Sequence, residues 1–169
     1  MSAIDMSAFA PVLGEVDQYK LRVDGQIPSD LNGTFVRNGP NPFSGQFESE
    51  DVLSWWPEAA MLHGIQLQEG KATSYRNRWV RTKNWATQRT DENTPKDAAQ
   101  TSTEFIETNP NVNVISHCQE VLALAEGGQP LAIDRNLNTL GPSKRHPSLA
   151  GGVTAHPKID PITGELIYF

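Results

Sequence analysis

The stretch MLHGIQLQEGKATSYRNRWVRT, residues 61–82, has the residue pattern of a β-hairpin. Ile65 and Leu67 alternate with polar neighbours, and the polar residues 68–71 interrupt the pattern with a turn. Three residues of the returning segment share one face, namely Tyr75, Asn77 and Trp79. A period of two residues is typical of a strand with one buried face. The stretch therefore predicts two antiparallel strands joined by a tight turn.

Similar patterns lie on both sides of this hairpin. Before it, LNGTFVRNGPNP (residues 31–42) predicts a short strand over 33–37 and a turn cluster over 38–42. After it, residues 86–108 are polar and aperiodic, which predicts a long loop or a short helix. Strand patterns resume in NVNVISH, EVLALAEG, PLAID and TLG, and a Gly/Pro-rich linker over 141–152 leads to a last hairpin that turns at residues 160–164. The fold class predicted is all-β, an antiparallel meander of the sandwich, barrel or propeller type.

Composition narrows the classes of function. The 169 residues carry a net charge of −6, which argues against a nucleic-acid partner. A single cysteine, Cys118, excludes an intrachain disulfide and fits a reducing compartment. No apolar run has the length of a signal peptide or a membrane span. These features predict a cytoplasmic protein.

The residues with reactive side chains have ordinary structural interpretations when each is taken alone. The spacing of the four histidines matches no local metal-binding motif. These histidines are His63, His117, His146 and His156. We expect His63 in a sheet, His117 at a hairpin tip and His146 exposed in the linker. Cys118 has no adjacent base, so it is interpreted as an inert small residue.

Three further features also have ordinary structural interpretations. Glu126 follows an apolar strand and is interpreted as a turn carboxylate. The segment RNRWVRTK, residues 76–83, is interpreted as a solvated sheet face rather than a nucleic-acid site. The four tryptophans are expected mainly in the core, with a role in lining an apolar pocket as the alternative: Trp55, Trp56, Trp79 and Trp85.

Several motifs, in this order and at compatible intervals, resemble the N-terminal part of the carotenoid oxygenase family, the carotenoid cleavage and lignostilbene dioxygenases. They are LNGTFVRNGPNP, the hairpin of residues 61–82, NVNVISH to TLG, and TAHPKIDPITGELIYF. The resemblance covers about residues 20–169. It implies a seven-bladed β-propeller with one Fe(II) per complete propeller, held on the axis by four histidines. It also implies cleavage by O2 of a carbon–carbon double bond in a carotenoid, apocarotenoid or stilbenoid.

The resemblance assigns roles to two residues. His156, in TAHPK, matches the first iron ligand, and neutral imidazole is a good ligand for ferrous iron. Glu126, in AEGG, matches a carboxylate that supports a ligand histidine of a later blade from the second coordination shell. The implied domains are an irregular lead-in over 1–30 and an incomplete propeller over 31–169. The implied partners are an apolar polyene or stilbene, O2, and a membrane surface contacted peripherally during substrate uptake.

Two departures from the family pattern shape the expectations. WWPEAA, residues 55–60, replaces a glycine-rich FDGDG turn, so we expect a different local turn geometry. The sequence stops soon after His156, so we expect an N-terminal fragment of about three blades that is inactive alone. One alternative is a non-catalytic β-module that binds an apolar ligand or a protein partner. Another is a self-contained metal site of His146, His156 and Glu165.

Overall fold

The first sheet of the molecule is built around the hairpin of residues 61–82. The coordinates are a computed structural model, which describes residues 10–43, 55–88, 109–146 and 152–168. The strands of this sheet are β1 (Asp17–Gln18), β2 (Gly33–Pro40), β3 (Ala60–Gln68) and β4 (Lys71–Trp79). Their order is β1-β4-β3-β2, and every neighbouring pair is antiparallel.

The turn of this hairpin confirms the prediction from the sequence. β3 ends at Gln68 and β4 begins at Lys71, so the loop consists of Glu69 and Gly70. Both have positive φ, 48° for Glu69 and 76° for Gly70. Two residues of positive φ form the tight turn whose twist matches that of the flanking strands. On β4, Asn77 and Trp79 are buried.

The second sheet repeats this plan. Its strands are β5 (Asn113–His117), β6 (Glu120–Leu124), β7 (Leu131–Ile133) and β8 (Thr139–Pro142), in the order β5-β6-β7-β8. All three pairings are antiparallel. Cys118 and Gln119 form the two-residue turn between β5 and β6, with φ of 47° and 63°. The predicted position of His117 at a hairpin tip is therefore confirmed.

A last hairpin and one short helix complete the described elements. β9 (Lys158–Ile159) pairs with β10 (Leu166–Ile167) across the predicted turn, where Asp160 Oδ1 accepts backbone hydrogen bonds from Ile162 (2.7 Å) and Thr163 (2.9 Å). The helix α1 (Lys83–Gln88) begins three residues before the predicted polar segment and ends inside it, and residues 89–108 of that segment lie outside the described residues. In the part of the chain that the structure describes, no helix is long and apolar enough to cross a membrane. The described residues thus form two four-stranded sheets and one two-stranded hairpin, where about three blades were expected.

Apolar side chains from the two sheets form a shared core. The central cluster contains Ala60, Leu62, Val80, Ala123, Ile133 and Leu137. It joins β3 of the first sheet to β6 and β7 of the second, and burying such side chains supplies much of the driving force for folding. A second cluster contains Trp79 and Trp85, each 2% exposed, which confirms the core prediction for these two tryptophans.

Two details around the first sheet differ from the sequence prediction or refine it. β2 continues through Asn38 and Gly39 to Pro40, so the predicted turn cluster over 38–42 was wrong at its start. Pro40 is tolerated because β2 pairs only with β3 and is an edge strand. β1 lies inside the predicted lead-in and pairs with β4. The division of the chain at residue 30 remains a prediction.

The segment WWPEAA forms a turn without the glycine geometry of the family motif. The Glu58 amide donates to the Trp55 carbonyl at 3.1 Å. None of residues 55–60 has a positive φ. The buried side chain of Asn111 donates to the carbonyls of Glu58 (2.7 Å) and Trp56 (3.1 Å). The Asn111 amide, which lies just before β5, therefore fixes this turn.

Candidate metal centre

Backbone pairing brings the Glu126 turn against the segment that carries His156. Glu126 follows β6, and an isolated antiparallel bridge joins Gly128 to Val153. The Gly127 amide donates to the Val153 carbonyl at 2.9 Å, and the Val153 amide donates to the Gly128 carbonyl at 3.1 Å. Two residues that are far apart in the sequence are therefore held on adjacent backbone segments.

This close approach depends on Gly152. Its φ is +87°, and a Cβ built on it would lie 2.4 Å from the carbonyl oxygen of Gly127. Such a contact with backbone atoms cannot be relieved by rotating a side chain. Only glycine fits both the conformation and the space at this position.

The side chains of Glu126 and His156 lie within hydrogen-bonding distance of each other. The distance from His156 Nε2 to Glu126 Oε1 is 3.2 Å, while Glu126 Oε2 accepts a hydrogen bond from the Ala155 amide at 3.1 Å. The carboxylate is thus anchored by one oxygen to the backbone beside His156 and holds the imidazole with the other. The two side chains are 57% and 49% exposed, so the pair lies open on the surface of the described residues.

The resemblance implied that Glu126 supports a ligand histidine of a later blade, and that role stays a prediction. Among the described residues the carboxylate contacts His156. A carboxylate that accepts from one ring nitrogen orients the imidazole and leaves the other nitrogen free to bind a metal. The donor chemistry fits ferrous iron, because imidazole nitrogen suits that ion. One imidazole fills one coordination position, so a stable iron site needs ligands beyond those on this surface.

The self-contained triad is not assembled. Glu165 accepts a hydrogen bond from the Thr163 hydroxyl at 3.1 Å, and His156 pairs with Glu126. Among the described residues, the one group of three or more possible metal ligands is formed by His117, Cys118 and His146. The hypothesis of His146, His156 and Glu165 as a facial triad was therefore wrong.

His146 was also predicted to be exposed, and this was wrong. Its side chain is only 9% exposed. Ser143 Oγ lies 2.9 Å from its Nδ1, and His117 Nδ1 lies 2.8 Å from its Nε2. The contact between His117 and His146 could not be predicted from the sequence, because the two residues are 29 positions apart and meet only through the path of the chain after β8. The one local signal was that Ser143 and His146 are three residues apart at the end of a strand.

His63 is a satisfied sheet residue, as predicted. Tyr75 lies on the neighbouring strand β4, and its hydroxyl is 2.7 Å from Nδ1 of His63. The hydroxyl donates a hydrogen bond to this nitrogen when the ring is neutral. Burial, together with the charge of Arg37 on β2, lowers the pKa of His63 to about 4. His63 is therefore neutral near pH 7 and takes no part in the contact between Glu126 and His156.

This lowered pKa predicts a pH dependence of stability. Between pH 6.5 and about 4 the unfolded chain binds a proton at His63 that the folded chain does not, so acidification lowers the free energy of unfolding. The free energy of unfolding should fall by about 1–2 kcal/mol, a value discounted because the ring is partly exposed. The fall should be complete near pH 4 and absent above pH 6.5. Urea unfolding of the wild type and His63→Gln across this range measures it. The difference between the two proteins should change with pH, and a constant difference would contradict the assignment.

The basic strand and the other two tryptophans complete the predicted features. Arg76 and Arg78 both pair with Asp17 on β1, Arg78 at 2.6 Å. Their hydrogen bonds, first that of Arg76 and then that of Arg78, hold the pKa of Asp17 below its usual value. These arginines are occupied in ion pairs and their side chains are only 26% and 16% exposed, so the interpretation of this strand as a solvated face was wrong. Trp55 and Trp56 line a cavity of about 230 Å³, so the alternative prediction of a pocket is confirmed for this pair.

The family model described as retinal pigment epithelial membrane protein matches residues 9–169, nearly the whole sequence. This chain belongs to that family, the carotenoid oxygenases. It is 41% identical over 158 residues to a carotenoid cleavage oxygenase of Mycobacterium tuberculosis, covering 93% of this chain and 31% of the relative. It is 31% identical over 175 residues to an isoeugenol monooxygenase of Pseudomonas nitroreducens, covering 94% and 34%. The chain thus spans about a third of the length of the curated relatives it matches.

Solved structures agree with the family assignment. The lignostilbene dioxygenase of Pseudomonas brassicacearum superposes with a TM-score of 0.69 at 29% identity, covering 94% of this chain and 34% of that one. A variant of the Synechocystis apocarotenoid oxygenase superposes with a TM-score of 0.71 at 25% identity, covering 92% and 35%. The all-β, antiparallel prediction is confirmed, and the sheets form part of the family's seven-bladed propeller.

Proposed function

We propose that this chain supplies the first iron ligand of an iron(II)-dependent dioxygenase that cleaves a carbon–carbon double bond of a carotenoid, apocarotenoid or stilbenoid. The observation that supports this most directly is the placement of His156, in the motif TAHPK, beside the anchored carboxylate of Glu126. Family membership supports the class of reaction. The names of the relatives support a substrate range from carotenoids to stilbenoids and phenylpropenes.

Each residue of the pair would have a defined task. His156 would bind Fe(II) through a ring nitrogen, and three histidines of further blades would complete the site. Glu126 would hold the imidazole in one orientation, since the Ala155 amide fixes the carboxylate before any metal binds. When bound, ferrous iron supplies the activation of O2 next to the double bond. A ligand set without carboxylate leaves the centre cationic.

The chain alone should bind ferrous iron weakly, because one imidazole competes poorly with water. The proposal is therefore tested in a hybrid, in which residues 1–169 replace the matching third of the Mycobacterium tuberculosis relative. We expect the hybrid, reconstituted anaerobically with Fe(II) and exposed to O2, to convert an apocarotenoid or a hydroxystilbene into two carbonyl products. One O2 should be consumed for each pair of products.

A saturated analogue of the stilbene, without the double bond, is the matched control and should be unchanged. Product analysis by mass spectrometry and oxygen consumption are the readouts. A folded, iron-loaded hybrid that gives no carbonyl product from a carotenoid, an apocarotenoid, a stilbene or a phenylpropene would contradict the proposed function.

A further inference from the structure

A second group of side chains that can bind a metal lies at the C-terminal end of β5, apart from the pair of Glu126 and His156. His117 ends β5 and His146 follows β8. Nδ1 of His117 lies 2.8 Å from Nε2 of His146, with the ring centroids 5.1 Å apart and the rings inclined at 45°. The two imidazoles therefore face each other through one nitrogen each.

Each ring has a second, outer nitrogen that faces away from the other ring, namely Nε2 of His117 and Nδ1 of His146, and each lies near a hydrogen-bond acceptor. His117 Nε2 lies 2.8 Å from the Gly164 carbonyl, which can only accept, so this nitrogen carries a hydrogen. His146 Nδ1 lies 2.9 Å from Ser143 Oγ, and that hydroxyl donates to Glu120 Oε2 at 2.6 Å. Because the hydroxyl hydrogen is used on the carboxylate, Ser143 accepts from His146 Nδ1.

These outer contacts determine what lies between the rings. With hydrogens on both outer nitrogens, the neutral rings direct two lone pairs at each other. Such a contact needs a cation between the nitrogens, either one proton or a metal ion. A carbonyl on one outer N–H, and a carboxylate reached through a hydroxyl on the other, are the partners that typically surround metal-bound histidines.

Cys118 places a third donor atom beside the His117 ring. It is exposed, has a φ of 47° in the turn after β5, and its Sγ lies 3.8 Å from His117 Nε2, the nitrogen that faces the Gly164 carbonyl. One donor atom from each of His117, Cys118 and His146 can be chosen so that all three lie within 4.8 Å of one another.

We propose that His117, Cys118 and His146 bind one zinc ion, separate from the iron of the proposed enzyme. Two imidazole nitrogens and one thiolate suit Zn2+, with Zn–N distances of about 2.0–2.1 Å and a tetrahedral arrangement. That arrangement places the two nitrogens about 3.3 Å apart, so the rings must separate by roughly half an ångström from their present contact. Water takes the fourth position.

The ion would join three elements that are distant in the sequence. Its ligands come from the β5–β6 turn and the segment after β8, while the Gly164 carbonyl connects His117 to the turn between β9 and β10. Zinc would thus hold the last hairpin, which begins two residues after His156, against the second sheet.

Zinc titration of the metal-free chain by calorimetry tests this site, with Co2+ as a spectroscopic substitute. We expect one Zn2+ per chain and, for cobalt, a thiolate-to-metal charge-transfer band that Cys118→Ser removes. His117→Gln and His146→Gln should each weaken binding about 100-fold, since each removes one of three protein ligands. Glu120→Gln, which keeps every ligand, should weaken it about 10-fold or more. His156→Gln is the matched control and should leave the zinc affinity unchanged.

Circular dichroism of each variant identifies any that fail to fold. If His146→Gln is among them, the zinc affinity of Glu120→Gln, which keeps every ligand, still tests the site. Absence of stoichiometric zinc binding by the folded wild type would overturn the proposal. Equal affinity in the wild type and Glu120→Gln, or a loss of affinity in His156→Gln, would also overturn it.

Discussion

Replacing His156 with alanine in the hybrid enzyme is expected to abolish cleavage, with a loss of more than about 100-fold, beyond the range typical of changes in residues that only support a ligand. The imidazole is the group of this chain that would bind the iron, and alanine leaves that coordination position to water. The Glu126 carboxylate would then have no partner in the contact now spanning 3.2 Å. Initial rates of carbonyl formation at saturating substrate measure the effect.

Glu126→Gln should produce a smaller effect in the same assay. Glutamine has the size of glutamate and can still accept from the Ala155 amide, but it lacks the charge that pairs with the imidazole. The expected loss in rate or metal occupancy is about 10–100-fold. His63→Ala is the control, because His63 contacts Tyr75 and lies outside the pair. If Glu126→Gln matched His156→Ala in severity, the carboxylate would have a direct role that this account does not give it.

Gly152→Ala is expected to destabilise the chain by about 3 kcal/mol. A φ of +87° costs a residue with a Cβ roughly 1–2 kcal/mol. The Cβ would also meet the Gly127 carbonyl oxygen at 2.4 Å, and relieving that overlap must move the backbone of the bridge, at a cost of about 1–3 kcal/mol. Urea unfolding followed by circular dichroism measures the change.

Two glycines provide controls for the separate causes. Gly127 has a φ of +70° with nothing within 4 Å of its Cβ position, so Gly127→Ala should cost only the conformational part, about 1 kcal/mol. Gly14 has open space and no positive φ, and Gly14→Ala should be nearly neutral. If Gly152→Ala cost no more than Gly127→Ala, the close approach that holds His156 beside Glu126 would not exist in solution.

The sequence predicted those parts of the fold that depend on local pattern. The hairpin of residues 61–82 was predicted because strand alternation and a turn containing Gly70 agree within one short segment. The strands from Asn113 to Pro142 were predicted for the same reason. The end of β2 was not, since Asn38, Gly39 and Pro40 have turn-forming composition and stay extended only because β3 pairs with them.

The contacts of the candidate sites were predicted less well than the strands. His156 and Glu126 were identified by resemblance, yet their mutual contact was missed because it depends on the bridge between Gly128 and Val153. His146 was predicted to be exposed because it precedes a proline in a basic linker. Its ring contacts His117, which lies 29 residues earlier, and a side-chain contact across such a separation has no local signature.

The central claim, that His156 is the iron ligand of this chain, is tested most directly by the iron content of the hybrid after anaerobic reconstitution and desalting. Elemental analysis should find close to one iron per molecule in the wild type and in His63→Ala, and close to none in His156→Ala. Circular dichroism of each protein shows that the loss of metal is not a loss of fold. Full iron content in folded His156→Ala would contradict the account.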